Sequence, residues 1–107
     1  MPAAAKKADR LFNALGDPTR RAIVEKLSRA PSSVSRLAAP LNITLTAVGQ
    51  HIDVLEQCGL VRTQKVGRVR VCRFETSGLA VLESWIAEHR AQWDRRLDRL
   101  GDILEED

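Results

Sequence analysis

The sequence predicts a mainly α protein with a small β-hairpin, arranged as a winged helix-turn-helix that dimerises through its first and last helices. Three observations carry that prediction. Residues 44–59, TLTAVGQHIDVLEQCG, have one apolar stripe and one small, polar face. Residues 60–75 switch to an imperfect alternation of valine and arginine. Residues 76–104 repeat apolar side chains at steps of three and four.

In chain order, residues 3–15 read as a helix with Ala4, Ala8, Leu11, Phe12 and Leu15 on one stripe, ended by Gly16. Asp17 then caps a second helix whose first residue is Pro18, a position where the missing N–H costs nothing. That helix runs to about Arg29 and buries Ile23 and Leu27. Pro31 stops the chain, and Ser32 or Ser33 caps a short third helix over 34–39, with Val34, Leu37 and Leu41 facing inward. A turn with Pro40 and Asn42 leads to the fourth helix. Thr44 caps it, Leu45, Val48, Ile52 and Leu55 are its buried stripe, and Gly59 supplies a left-handed end. Thr46, Gly49, Gln50 and Asp53 form the other face, which cannot be core. A helix, a tight turn, a second helix and a basic hairpin place this fourth helix in the major groove of DNA.

The hairpin has Gly67 at its tip and β-branched residues in both arms. Arg62, Lys65, Arg68, Arg70 and Arg73 precede its first acidic residue, Glu75. Solubility would accept either sign, whereas a phosphate backbone requires this one. Lys65 and Arg68, near the tip, are the expected DNA contacts, with Arg70 beside them. Arg62 and Arg73, nearer the base, suit ion pairs. The charge of the whole chain is polarised in the same sense. Residues 1–75 hold 13 Lys/Arg against 6 Asp/Glu, a net of +7, and residues 76–107 hold 4 against 8, a net of −4. An anionic partner therefore meets the first part and not the tail.

The closing helix carries Leu79, Leu82, Ile86, His89, Trp93, Leu97, Leu100 and Leu104 in one seam, widened by Trp85 and Ile103. So small a domain cannot cover so long a stripe alone. A second copy is the expected cover, with Leu11, Leu82, Ile86, His89, Trp93, Leu97 and Leu100 at the interface. The whole chain of 107 residues is then one domain, with a DNA-binding core at about 17–75 and dimerisation helices at about 3–15 and 76–104.

ALGDPTRRAIVEKL at 14–27, TAVGQHIDVLEQCGLV at 46–61 and VGRVRVCRFE at 66–75 together resemble the arsenical-resistance-repressor (ArsR/SmtB) family of transcription regulators. The resemblance covers nearly all of the chain from about Asp9. It implies a homodimeric repressor on a palindromic operator, with Thr44, Thr46, Gly49, Gln50 and His51 as groove contacts. Gln50 suits a base edge, because an amide bonds adenine at two points. Gly49 stands where the family most often has serine. His51 can equally be a structural hydrogen-bonder at the helix packing face, and Asp53 suits a neighbouring arginine.

Many members of that family hold a metal. Here the third helix has no Cys or His, and His89 is followed one turn later by Trp93. His89, Glu83 and Asp94 spread too far around one helix to converge on zinc. The resemblance is therefore to the metal-independent branch, with no cofactor expected. Cys58 and Cys72 are too few for a secreted disulfide scaffold, which together with the absence of an apolar leader points to the cytoplasm. A thiol-switched repressor using either cysteine is the alternative, and a winged-helix module binding an acidic protein is another. Catalysis is excluded by the absence of a Gly-rich phosphate loop or a Ser/His/Asp arrangement. RNA binding lacks a stacking platform, since aromatic residues make up 4% of the chain and tyrosine is absent.

Overall fold

Short polar residues punctuate the chain, and the helices begin and end on them. The computed structural model describes residues 3–105, with side-chain surroundings from residue 6 onward. Its order is α1 (Ala3–Leu15), α2 (Pro18–Arg29), β1 (Ser32–Ser33), α3 (Val34–Leu41), α4 (Leu45–Gln57), β2 (Val61–Val66), β3 (Val69–Phe74) and α5 (Ser77–Glu105). Asp17 caps α2 by accepting the Arg20 N–H at 2.9 Å, and this bond holds its carboxyl below the usual carboxylate range. Of the two candidate serines, Ser33 caps α3. Thr44 caps α4 through the Ala47 N–H at 3.1 Å.

The end of α3 lies two residues beyond its expected stop. Pro40 sits inside the last turn, and Asn42 (φ 54°) closes the helix in the left-handed region, its N–H bonded to Ala39 O at 3.1 Å. A proline so near a C-terminus disturbs little, because few intrahelical bonds remain to be broken.

The core is built from one face of each of the first four helices. Ala8, Leu11 and Ala14 of α1, Ile23 and Leu27 of α2, and Leu37 of α3 meet Val48, Ile52 and Leu55 of α4 over Leu60, Val61 and Cys72. Two expectations are corrected here. Leu45 is 56% exposed, because a side chain at the first helical position leans back past the helix end and off the core. Leu11 is 1% exposed and belongs to the chain's own interior, so it is not available to a second copy; its neighbour Phe12 is the exposed one. Ala4, expected on the same stripe, lies outside the residues whose side chains are described.

The hairpin gains a third strand that the sequence did not announce: the sheet order is β1-β3-β2, with Ser32 opposite Cys72 and Ser33 opposite Val71. Two serines carry no alternation to read. In the hairpin itself Val61 faces Phe74, Thr63 faces Cys72, Lys65 faces Arg70 and Val66 faces Val69. Gly67 (φ 63°) followed by a residue of negative φ makes the tight two-residue turn that suits twisted strands. Alternation puts Thr63, Lys65, Arg70 and Cys72 on the inner face. Arg70 thus shares a face with Cys72, whereas Arg73 lies on the opposite one. Val66 and Val69 are exposed at the tip, beyond the reach of the core.

Helices α4 and α5 meet at two glycines. Gly59 (φ 77°) ends α4, with its N–H on Glu56 O at 3.1 Å and that of Leu60 on Leu55 O at 3.0 Å. Its carbonyl then accepts the Gly78 N–H at 2.9 Å and the Ser77 hydroxyl at 3.3 Å. The start of α5 is thereby fastened to the end of α4.

Candidate nucleic-acid interface

The outer face of α4 presents Thr46, Gln50 and Asp53 to solvent, with Gly49 half-buried among them. Nothing lies within 4 Å of where a Gly49 Cβ would stand. Packing therefore does not require glycine at this position, and the bare backbone leaves room there for close approach. Gly49→Ala should raise stability by about 1 kcal/mol, the propensity gain in a helix interior, while weakening DNA binding. Urea denaturation and a gel shift measure the two effects, and undiminished DNA affinity would show that the bare backbone is not used.

The hairpin is bolted to α4 by polar contacts. Arg70 Nη2 reaches Asp53 Oδ1 at 2.8 Å and Glu56 Oε1 at 3.7 Å. Glu56 Oε2 accepts both the Thr63 N–H at 2.9 Å and its hydroxyl at 2.7 Å. Asp53 thus has the arginine partner expected for it. Arg70 is drawn away from the role of simple phosphate contact, because its charge is already facing two carboxylates. The part played by Glu56 and Thr63 was not read from sequence; their only signal is opposite hydrogen-bonding character on elements that must pack. At the base, Arg62 pairs with Glu75 at 3.5 Å. Lys65, Arg68 and Arg73 have no acidic partner among the described residues and stand exposed.

His51 lies at the edge of the core, on the side of α4 facing the start of α2. Its Nδ1 is 3.5 Å from Arg20 Nη1. The same guanidinium donates through Nε to Ala14 O at 2.7 Å and through Nη2 to Asn13 O at 3.0 Å. These carbonyls lie in the last turn of α1, where intrahelical donors run out; Asn13 O also accepts the Gly16 N–H at 3.3 Å. Arg20 is a site residue that sequence reasoning missed, although it sits within the DPTRR segment.

The thiols are not built for reactivity. Burial pushes both Cys58 and Cys72 above the usual thiol range, whereas a sensing thiol needs the opposite shift. Cys58 donates to Leu55 O at 3.4 Å, and Cys72 is fully buried. Among the described residues no three His, Cys, Asp or Glu side chains gather as a metal site. His89 Nδ1 is 2.8 Å from Trp85 O, a carbonyl, so that nitrogen carries the proton.

Away from this face, α5 leaves the core after its first turns. Gly78 is buried, and Leu79 and Leu82 are half-buried. Phe12 of α1 meets Trp85 edge-on at 4.8 Å, and Trp85 stacks on His89 at 4.1 Å. Beyond them Ile86, Trp93, Leu97, Leu100, Ile103 and Leu104 remain exposed, between 42% and 66%. No helix among the described residues is long and apolar enough to cross a membrane.

The family model described as "Helix-turn-helix domain" matches residues 15–64. The HTH-type transcriptional regulator Rv2034 of Mycobacterium tuberculosis is 36% identical over 100 residues, spanning 94% of this chain and 91% of that protein. The transcriptional repressor SmtB homolog of Synechocystis is 28% identical, with 84% of this chain and 68% of that one covered. Two solved structures are similar over most of the chain. One is an ArsR family transcriptional regulator, RHA00566, with TM-score 0.79, 41% identity and coverage of 88% of this chain and 97% of that one. The other is an ArsR-like transcriptional regulator from Rhodococcus sp. RHA1, with TM-score 0.81, 34% identity and coverage of 95% and 96%.

Proposed function

Because this chain belongs to the ArsR/SmtB family of winged helix-turn-helix transcriptional regulators, which bind DNA and are not enzymes, we propose that it is a homodimeric repressor of the metal-independent branch. It occupies a palindromic operator. Helix α4 enters the major groove, and the wing of β2 and β3 lies on the backbone or minor groove. One observation carries this reading: α4 turns Thr46, Gly49, Gln50 and Asp53 outward, flanked by a wing whose exposed charges are basic. Such a face has no role in the core, and it suits a polyanion with readable edges.

Each contact has its own task. Gln50 reads a base edge, and Thr44 and Thr46 hold the start of the helix on the backbone. Lys65 and Arg68 supply affinity without sequence information. Two copies joined through α5 and Phe12 bring their α4 helices to half-sites about one helical turn, roughly 34–36 Å, apart. Occupancy of such a site blocks transcription by exclusion. Among the relatives, the Synechocystis protein bears the name of a repressor, which supports the sign of regulation.

Gel shifts on cognate and scrambled duplexes test the division of labour. Gln50→Ala should cost roughly 1–3 kcal/mol on the cognate site and little on the scrambled one. Arg68→Ala should weaken both duplexes alike and lower the salt slope by about one. Equal losses for Gln50→Ala on both duplexes would remove its reading role.

A further inference from the structure

The Arg20 guanidinium is fixed by what it holds. Two of its three nitrogens are committed to the carbonyls that end α1, Ala14 O and Asn13 O. Its backbone N–H is committed to Asp17. A planar fork held at two points has little freedom left, so Nη1 is aimed, and what it meets at 3.5 Å is Nδ1 of His51. A guanidinium has no lone pair to offer. The imidazole must therefore accept at Nδ1, and a neutral ring that accepts at Nδ1 carries its proton on Nε2.

We propose that Arg20 is a positioning residue for the recognition helix: anchored on the carbonyl end of α1, it holds His51 as the Nε2–H tautomer, so that His51 donates its free N–H to the DNA. The acceptor on the duplex is a phosphate oxygen or a base acceptor at the groove edge. The contact also ties α4 to the end of α1, three residues from the exposed Phe12. The charged groups around the ring are Arg20 itself and Asp17, whose carboxyl is held below its usual range chiefly by the hydrogen bond from the Arg20 N–H. Asp17 is occupied by the Arg20 N–H and balances the guanidinium's charge beside the ring. The inference rests on the repressor reading above for its DNA half alone; the tautomer is a property of the unbound protein.

Long-range 1H–15N correlation spectra of the full chain, selectively labelled at histidine and recorded at about pH 8, read the tautomer without DNA. His51 should show a protonated Nε2 and a bare Nδ1. Arg20→Gln should shift the ring toward a tautomer mixture. Wild-type His51 protonated on Nδ1, or on both nitrogens, overturns the proposal, and this arm needs no variant to fold.

A double-mutant cycle on operator DNA supplies the second arm. His51→Leu should weaken binding roughly tenfold, the fold-change for one lost hydrogen bond to a charged group. His51→Gln, which keeps both an acceptor and a donor, should retain most of the affinity. Arg20→Gln should lose affinity in wild type but add nothing on top of His51→Leu. Additive losses would mean that Arg20 acts by another route and would overturn the assignment. A protein with the expected tautomer that ignored all duplex DNA would sink the repressor reading and the donor role while leaving the tautomer in place.

Discussion

Trp93→Asp is expected to turn a dimer into a monomer and to lower operator affinity by about 10²–10⁴-fold, the loss when two linked half-sites become independent. Trp93 is 42% exposed in the single chain, in the middle of an apolar seam that continues through Leu97, Leu100 and Leu104. It approaches Trp85 edge-on at 5.8 Å and is not part of the core cluster, so its loss should spare the fold of the monomer. A carboxylate at that point would have to be desolvated at the centre of the paired seam, at a cost of several kcal/mol. Light scattering behind size exclusion gives the mass, and a gel shift gives the affinity. A Trp93→Asp protein that stays dimeric, or a monomer that binds the full site undiminished, would refute the seam as the joint.

Gly78→Ala should be strongly destabilising. A methyl group built there would stand 2.5 Å from Cys58 O and 3.0 Å from Gly59 C and O, all backbone atoms that cannot swing aside. The cost should be about 3 kcal/mol, the upper part of the range for overpacking a tight contact. That corresponds to roughly 12–24 °C in melting temperature for a domain of this size. Gly101→Ala is the matched control, because nothing lies within 4 Å of its missing Cβ. It should raise stability by up to about 1 kcal/mol. Thermal denaturation of both proteins decides the matter: a Gly78→Ala protein as stable as wild type would mean that the junction between α4 and α5 can open without penalty.

The limits of a sequence reading fall at identifiable residues. Periodicity located the helices because burial enforces it, and Val48, Ile52 and Leu55 are all fully buried as expected. It misjudged Leu45, because a stripe drawn on a cylinder ignores the end of the cylinder. It also offered Leu11 to a second copy, although Leu11 is 1% exposed in the chain's own core and Phe12, on the same apolar side of α1, is 43% exposed. Arg70 illustrates a different limit. Its charge was legible and its occupation was not, since Asp53 and Glu56 become its partners only when a strand is laid beside a helix. Gly78 gave no sign at all, because a glycine that admits a neighbouring backbone looks the same in sequence as one that admits nothing.

The bolting of hairpin to helix has a consequence for how such a regulator lets go. With Asp53 and Glu56 on one side and Arg70 and Thr63 on the other already engaged, the reading head is assembled before it meets its duplex. Little ordering entropy is spent at the moment of contact, which favours tight association. A signal that releases the promoter then has no loose wing to fold away. In the proposed dimer such a signal would act on the distance or tilt between two finished heads, with the α5 arms as the natural place to push.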